Sequence, residues 1–201
     1  MKRIQLTLAL LVGTAMLAHA APLKKGDAIP DVTLRTEDNT SVKLQKLVAE
    51  KPTVLIFYRG GWCPFCTRHL SALIEIQDDL QAAGYQLLAV SIDQPSKLKE
   101  TPKHDDLGYT LLSDSDATAA EAFGIAFTVP DDLVTKYKND YQIDLEAASG
   151  KMHHKLPHPS VFVVSTDGTI QYAHVNEDYK VRLEPEKILE AAKASVKQGD
   201  D

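Results

Sequence analysis

Cysteine occurs twice in these 201 residues and tryptophan once. Two cysteines allow one bridge at most, which excludes the disulfide-dense scaffolds that hold small secreted domains together. Beyond residue 20 no apolar run is long enough to cross a bilayer, which takes about 20 residues. Basic residues are outnumbered, 22 Lys and Arg against 28 Asp and Glu, for a formal charge of −6, and they form no cluster. Such a chain is a poor ligand for nucleic acid or anionic lipid. There is also no internal repeat or low-complexity tract.

What is present begins with the first twenty residues. Lys2 and Arg3 precede an apolar run from Ile4 to Leu17, and Ala18-His19-Ala20 reads as a small-x-small cleavage site. That is the layout of a cleavable secretory signal and is too short for a membrane span. The expectation is an exported protein, periplasmic or secreted, starting at Ala21. No cysteine follows the cleavage site, so a lipid anchor at a new N-terminal cysteine is not expected. Taking 2 of the 22 basic residues away leaves 20 against 28 acids, a formal charge of −8. Residues 21–201 have the length of one domain.

Periodicity predicts an α/β domain. "PTVLIFY" (52–58) is a continuous apolar run suited to a central strand buried on both faces. After Gly60-Gly61, Leu70, Leu73, Ile74, Ile76 and Leu80 recur at helical spacing up to Gly84. "YQLLAVSID" (85–93) is a second buried strand, parallel to the first because a helix crosses between them. A polar, helical stretch follows at 96–104, then a strand at 109–114. Asp114 or Asp116 caps a helix over 117–123 that Gly124 ends, and 160–175 forms a hairpin turning at Asp167-Gly168. Pro185 opens a final helix running to Lys197. A small N-terminal hairpin (31–34 with 40–43) and a helical insertion at about 130–157 complete a central mixed sheet with helices on both faces.

Both cysteines, Cys63 and Cys66, lie in "RGGWCPFC", where the first central strand turns into a helix. Open α/β folds place their sites at such turns, on the carboxyl edge of the parallel strands. Two residues three apart on a helix have Cα atoms about 5 Å apart, within the span of a disulfide. A bridge closing so short a loop is a weak staple, so redox use is the better reading. The helix N-terminus favours thiolate over thiol. Arg59 adds a full positive charge, and Trp62 and Phe65 flank the sulfurs with apolar surface for a substrate.

"RGGWCPFC" at the end of "LIFY" resembles the AhpC/TSA peroxiredoxin-like proteins of the thioredoxin-fold superfamily. The resemblance continues through "EAFGIAFTVPDDL", "LPHPSVFVVSTDGTIQYAHV" and "DYKVRLEP" and covers most of residues 28–195. It implies a thioredoxin-like fold, no cofactor, and reduction of hydroperoxides or exchange of disulfides through a Cys63/Cys66 dithiol–disulfide cycle. It also implies a thiol reductase partner that regenerates the dithiol. Pro159 aligns with the cis-proline that faces the redox pair in that fold, and His158 directly before it is expected near the thiols. In the peroxiredoxin motif the attacking cysteine falls on Cys66, while Cys63 stands where that motif has Thr or Ser and Arg59 where it has Pro. The thioredoxin motif instead makes Cys63 the attacker, so the order stays open. No arginine matches the family's peroxide-activating position. Arg59 and Arg182 are the two candidates for that work.

The non-enzymatic alternative is zinc. His154 and His158 have H-x3-H spacing and, with the C-x2-C, make a nominal Cys2His2 set, although the two halves lie far apart in sequence. Blander readings make His69 an exposed helical residue, Arg182 the partner of an acid such as Glu184 or Asp178, and Tyr137 and Tyr141 a packing face of the insertion helix.

Overall fold

The computed structural model describes residues 21–196, and the expected export signal lies outside the described residues. The chain opens with β1 (Thr33–Arg35), β2 (Ser41–Lys43), α1 (Leu44–Glu50) and β3 (Thr53–Phe57). Next, α2 (Pro64–Leu73) runs through a 3-10 turn at Ile74–Ile76 into α3 (Gln77–Ala82) and β4 (Gln86–Ser91). Then come α4 (Pro95–Leu98), β5 (Thr110–Ser113), α5 (Thr118–Ala122) and β6 (Ala126–Thr128). The last elements are α6 (Asp131–Asp140), α7 (Leu145–Ser149), β7 (Lys155–Pro157), β8 (Ser160–Val164), β9 (Ile170–Val175) and α8 (Pro185–Val196).

Seven strands form one mixed sheet in the order β2-β1-β5-β4-β3-β8-β9, and β6 and β7 form a separate ribbon. β3, β4 and β5 are parallel, β8 runs antiparallel to β3, and β9 antiparallel to β8. Every residue of β3 and β8 is buried, as their uninterrupted apolar runs require. Side chains alternate across a strand, so Val54, Ile56 and Tyr58 pack under α2, α3 and α8. Leu55, Phe57 and Phe162 pack on the opposite face with α1 and α5. A smaller cluster, including Ile92, Tyr137, Leu145 and Leu156, seats the insertion beside the sheet.

Several local expectations meet the structure closely. Asp114 caps α5 by accepting the N–H groups of Ala119 (2.9 Å) and Ala120 (2.8 Å). Gly84, Gly124 and Gly168 all have positive φ, at 83°, 70° and 85°, at the helix stops and hairpin turn where left-handed backbone is needed. Elsewhere the fold differs. The helix expected over 96–104 is only the single turn of α4 followed by a 3-10 turn at His104–Asp106, because Pro102 cannot continue a helix. The insertion carries α7 and strand β7 besides its expected helix.

Candidate active site

The redox turn is built from tight backbone contacts. Cys63 is the N-cap of α2 with Pro64 in the first turn, and its N–H donates to the carbonyl of Gly60 at 3.1 Å. The Cys63 carbonyl then accepts from Cys66 (2.9 Å) and Thr67 (3.0 Å). Both glycines are needed for lack of room. A Cβ on Gly60 would sit 2.2 Å from Trp62 Nε1 and 2.8 Å from Asp93 Oδ1, and one on Gly61 would sit 2.7 Å from Thr101 Oγ1. Gly60→Ala is therefore expected to cost about 1–3 kcal/mol of stability, the usual range for overpacking. A denaturant titration checks this, and an unchanged midpoint would contradict the packing described.

Both cysteines are free thiols in this state. Cys63 is 2 % exposed and Cys66 0 %, yet they differ in what they face. Cys63 lines a mostly apolar groove of about 400 Å3. Cys66 lies beneath it, 3.2 Å from the Nη2 of Arg182. The hydrogen bond from Cys66 favours thiolate on Cys63, and with help from the Arg59 and Arg182 charges it lowers that pKa to about 6 against the burial penalty. Burial pushes Cys66 well above the ordinary thiol value, and the bond to Cys63 adds to this, with Arg182 pulling the other way. The charge resides on the less buried sulfur because desolvating a thiolate is costly.

Arg59 is 3 % exposed and donates to the hydroxyl of Tyr137 at 2.7 Å. Its guanidinium lies 4.5 Å from the ring centroid of Tyr179, 5.2 Å from that of Trp62 and 5.4 Å from that of Tyr137, close enough for cation–π attraction. Phe65 packs edge-on to Tyr179 at 5.7 Å. Trp62 and Phe65 both line the Cys63 groove, where their place in the sequence put them.

The two remaining expected site residues lie elsewhere. The His158 ring stacks on Phe127 with centroids 4.6 Å apart, and the backbone N–H of His158 donates to the carbonyl of Ile125 at 2.8 Å. The β6–β7 ribbon thus holds it away from the groove. Pro159 lines a one-water-sized cavity with His69, His174 and Arg182. Its expected cis peptide is not found: no cis bond occurs among the described residues. Pro159 links β7, where Pro157 pairs with Ala126, to β8, where Ser160 pairs with Phe57 and Val175; its carbonyl accepts from the N–H of Asn176, and trans is the intrinsically lower-energy isomer. The zinc set is not assembled either. His154 bonds Glu146 at 3.0 Å, and no cluster of three or more His, Cys, Asp or Glu suited to a metal exists among the described residues.

Three residues of the site, Tyr137, His69 and Asp93, were not expected there from the sequence, and a fourth, Arg182, was one of two candidate arginines and otherwise the partner of an acid. Arg182 touches a cysteine instead of pairing with an acid, and Tyr137 anchors Arg59. Buried His69 binds the Leu183 carbonyl at 3.1 Å, and burial lowers its pKa to about 4. The neutral ring thereby ties the segment carrying Arg182 to the helix carrying Cys66. Asp93 accepts from the N–H of Gly61 at 2.7 Å, and burial raises its pKa to about 7. Its signal in the sequence was faint: one acid closing a buried strand.

The profile of the AhpC/TSA family matches residues 25–173. This chain belongs to the AhpC/TSA family. The AhpC/TSA member is 29% identical over 168 residues to peroxiredoxin Bcp of Escherichia coli (strain K12), spanning 84% of this chain and 94% of that protein. It is 28% identical to the chloroplastic peroxiredoxin Q of Oryza sativa subsp. japonica, over 83% of this chain and 64% of that one. Among solved structures, reduced Prx3 of Vibrio vulnificus in complex with hydrogen peroxide superposes with a TM-score of 0.68 at 20% identity, covering 85% of this chain and 99% of that one. Peroxidoxin BcpB of Mycobacterium tuberculosis gives 0.66, also at 20%, covering 88% and 97%. The fold is that of thioredoxin-fold peroxiredoxins, and the family makes this AhpC/TSA member a thiol-dependent peroxidase.

Proposed function

We propose that this protein is an exported hydroperoxide reductase that works by a Cys63–Cys66 dithiol–disulfide cycle, with Cys63 attacking first. The observation that carries this order is the division of labour between the sulfurs: Cys63 lines the groove with its pKa near 6, while Cys66 is sealed below it. The Cys63 thiolate attacks the terminal peroxide oxygen and the O–O bond breaks. The departing oxide takes up a proton to leave as alcohol or water, and Cys63 becomes a sulfenic acid. The Cys66 sulfur then attacks the Cys63 sulfur, the S–O bond breaks, and water leaves with the Cys66 proton. Arg182 stabilises the negative charge that Cys66 acquires as that proton departs. A thiol reductant restores the dithiol. Residues 1–20 support action outside the cytoplasm, in a periplasm or medium, after cleavage at Ala20.

A second reading has Cys66 attack first. Its support is the Arg182 contact and the place of Cys66 in the family motif. The pH dependence separates the two. With Cys63 as attacker, the single-turnover rate with hydrogen peroxide rises about tenfold per unit below pH 6 and levels off above about 7. The sign follows from a lowered acid pKa, since the reactive thiolate is lost as pH falls through it. A rate still climbing above pH 9 would transfer the attack to Cys66.

A further inference from the structure

Arg59 presents an imbalance of charge. A guanidinium this buried ordinarily has an anion beside it, because an uncompensated charge in the interior is costly. Among the described residues no carboxylate pairs with it, and its Nε–H has no acceptor. None of the groove's lining residues is acidic, and Lys136 stands there as a second cation. The nearby negative charge acting with Arg59 is the Cys63 thiolate. That charge exists only in the reduced state. Once Cys63 is bonded to Cys66, Arg59 has lost its counter-ion.

We propose that the groove beside Cys63 is the binding site of the reductant, a small thiol bearing a carboxylate, and that disulfide formation switches this anion site on. The inference rests on the dithiol–disulfide cycle proposed above. Two features favour a small molecule over a protein partner. Cys63 sits on the floor of a cavity of about 400 Å3, walled by Trp62, Phe65, Tyr137 and Tyr179, and it is only 2 % exposed. A slender thiol reaches such a sulfur, whereas a flat protein surface does not. Carboxylate on Arg59 and Lys136 holds the thiol end over Cys63.

The chemistry closes. A reductant thiolate attacks the Cys63 sulfur, the S–S bond breaks, and Cys66 leaves with the electron pair and is protonated. A second thiolate attacks the external sulfur of the mixed disulfide, releasing the Cys63 thiolate and a small-molecule disulfide. Arg59 then regains its internal anion, and the carboxylate of the product is displaced.

The test uses S-methylglutathione, which has the carboxylates of a tripeptide thiol but cannot react, with its dimethyl ester as the less charged control. The disulfide is made with diamide and verified by the loss of two hydrogens in the intact mass. Both redox states are then titrated by the fluorescence of the single tryptophan, Trp62. The oxidised protein is expected to bind the free acid at least about tenfold more tightly than the reduced protein, with the preference abolished for the ester. Equal affinities in the two states, no saturation in either, or a preference that survives esterification would overturn the proposal. Failure of peroxide itself to form the disulfide would instead count against the peroxidase cycle, which this titration does not use.

Discussion

Cys63→Ser abolishes hydroperoxide turnover, with kcat/KM falling at least about a thousandfold, some 4 kcal/mol of transition-state stabilisation. Serine keeps the size of the side chain but not a nucleophile ionised at neutral pH, and Cys66 cannot substitute because it is buried with its pKa raised. Cys66→Ser behaves differently. Turnover also stops, yet each molecule consumes one equivalent of peroxide and accumulates a Cys63 sulfenic acid that dimedone captures. Its rate for that single event stays within a few-fold of wild type, since the serine hydroxyl still donates a hydrogen bond to the Cys63 thiolate. Peptide mapping of the dimedone adduct reads the result. Adduct on Cys66 in the Cys63→Ser protein, formed at the wild-type rate, would reverse the assignment.

Phe162→Ala is expected to destabilise the protein by about 3–5 kcal/mol, the usual cost of removing a buried phenyl ring. Phe162 is 0 % exposed and its ring lies 5.0 Å from Phe123 and 6.1 Å from Phe57, with Phe57 and Phe123 themselves 5.0 Å apart. The three rings fix β8 and β3 together, where Leu55 pairs with Phe162, one strand before the redox turn. They lie on the sheet face opposite the core cluster that contains both cysteines. Stability and chemistry should therefore separate: the folded fraction keeps its rate with peroxide within a few-fold. A chemical-denaturation loss under about 1 kcal/mol would mean the ring cluster is not the anchor described.

Strands β3, β4 and β8 were legible because uninterrupted apolar runs admit one environment, burial on both faces. The hairpin β8–β9 and the helix stops were legible from residues with few alternatives, Asp167-Gly168, Gly84 and Gly124. Cys63, Cys66, Arg59, Trp62 and Phe65 were found because a single short segment holds them all. Tyr137 and Asp93 were not assigned their places, and Arg182 was named only as one of two candidate arginines, because their proximity is made by tertiary folding: Arg182 is 116 residues from the sulfur it touches and Tyr137 is 78 from Arg59. His158 was expected at the thiols from its neighbour Pro159, but the ribbon partner that removes it, Phe127, is itself a product of the β6–β7 pairing, which short segments of three residues do not announce.

On the proposed cycle the dithiol is a dedicated peroxide reductant. The direct measurement mixes pre-reduced protein lacking residues 1–20 with hydrogen peroxide in a stopped-flow at pH 7 and follows Trp62 fluorescence. Intact mass is taken from the same mixture. The proposed cycle requires a second-order rate at least about a hundredfold above that of a free thiol at its own ionised fraction, a difference only an organised site supplies. It also requires stoichiometric loss of two hydrogens. A rate no faster than the free thiolate, or oxidation that adds oxygen without closing the disulfide, would contradict it.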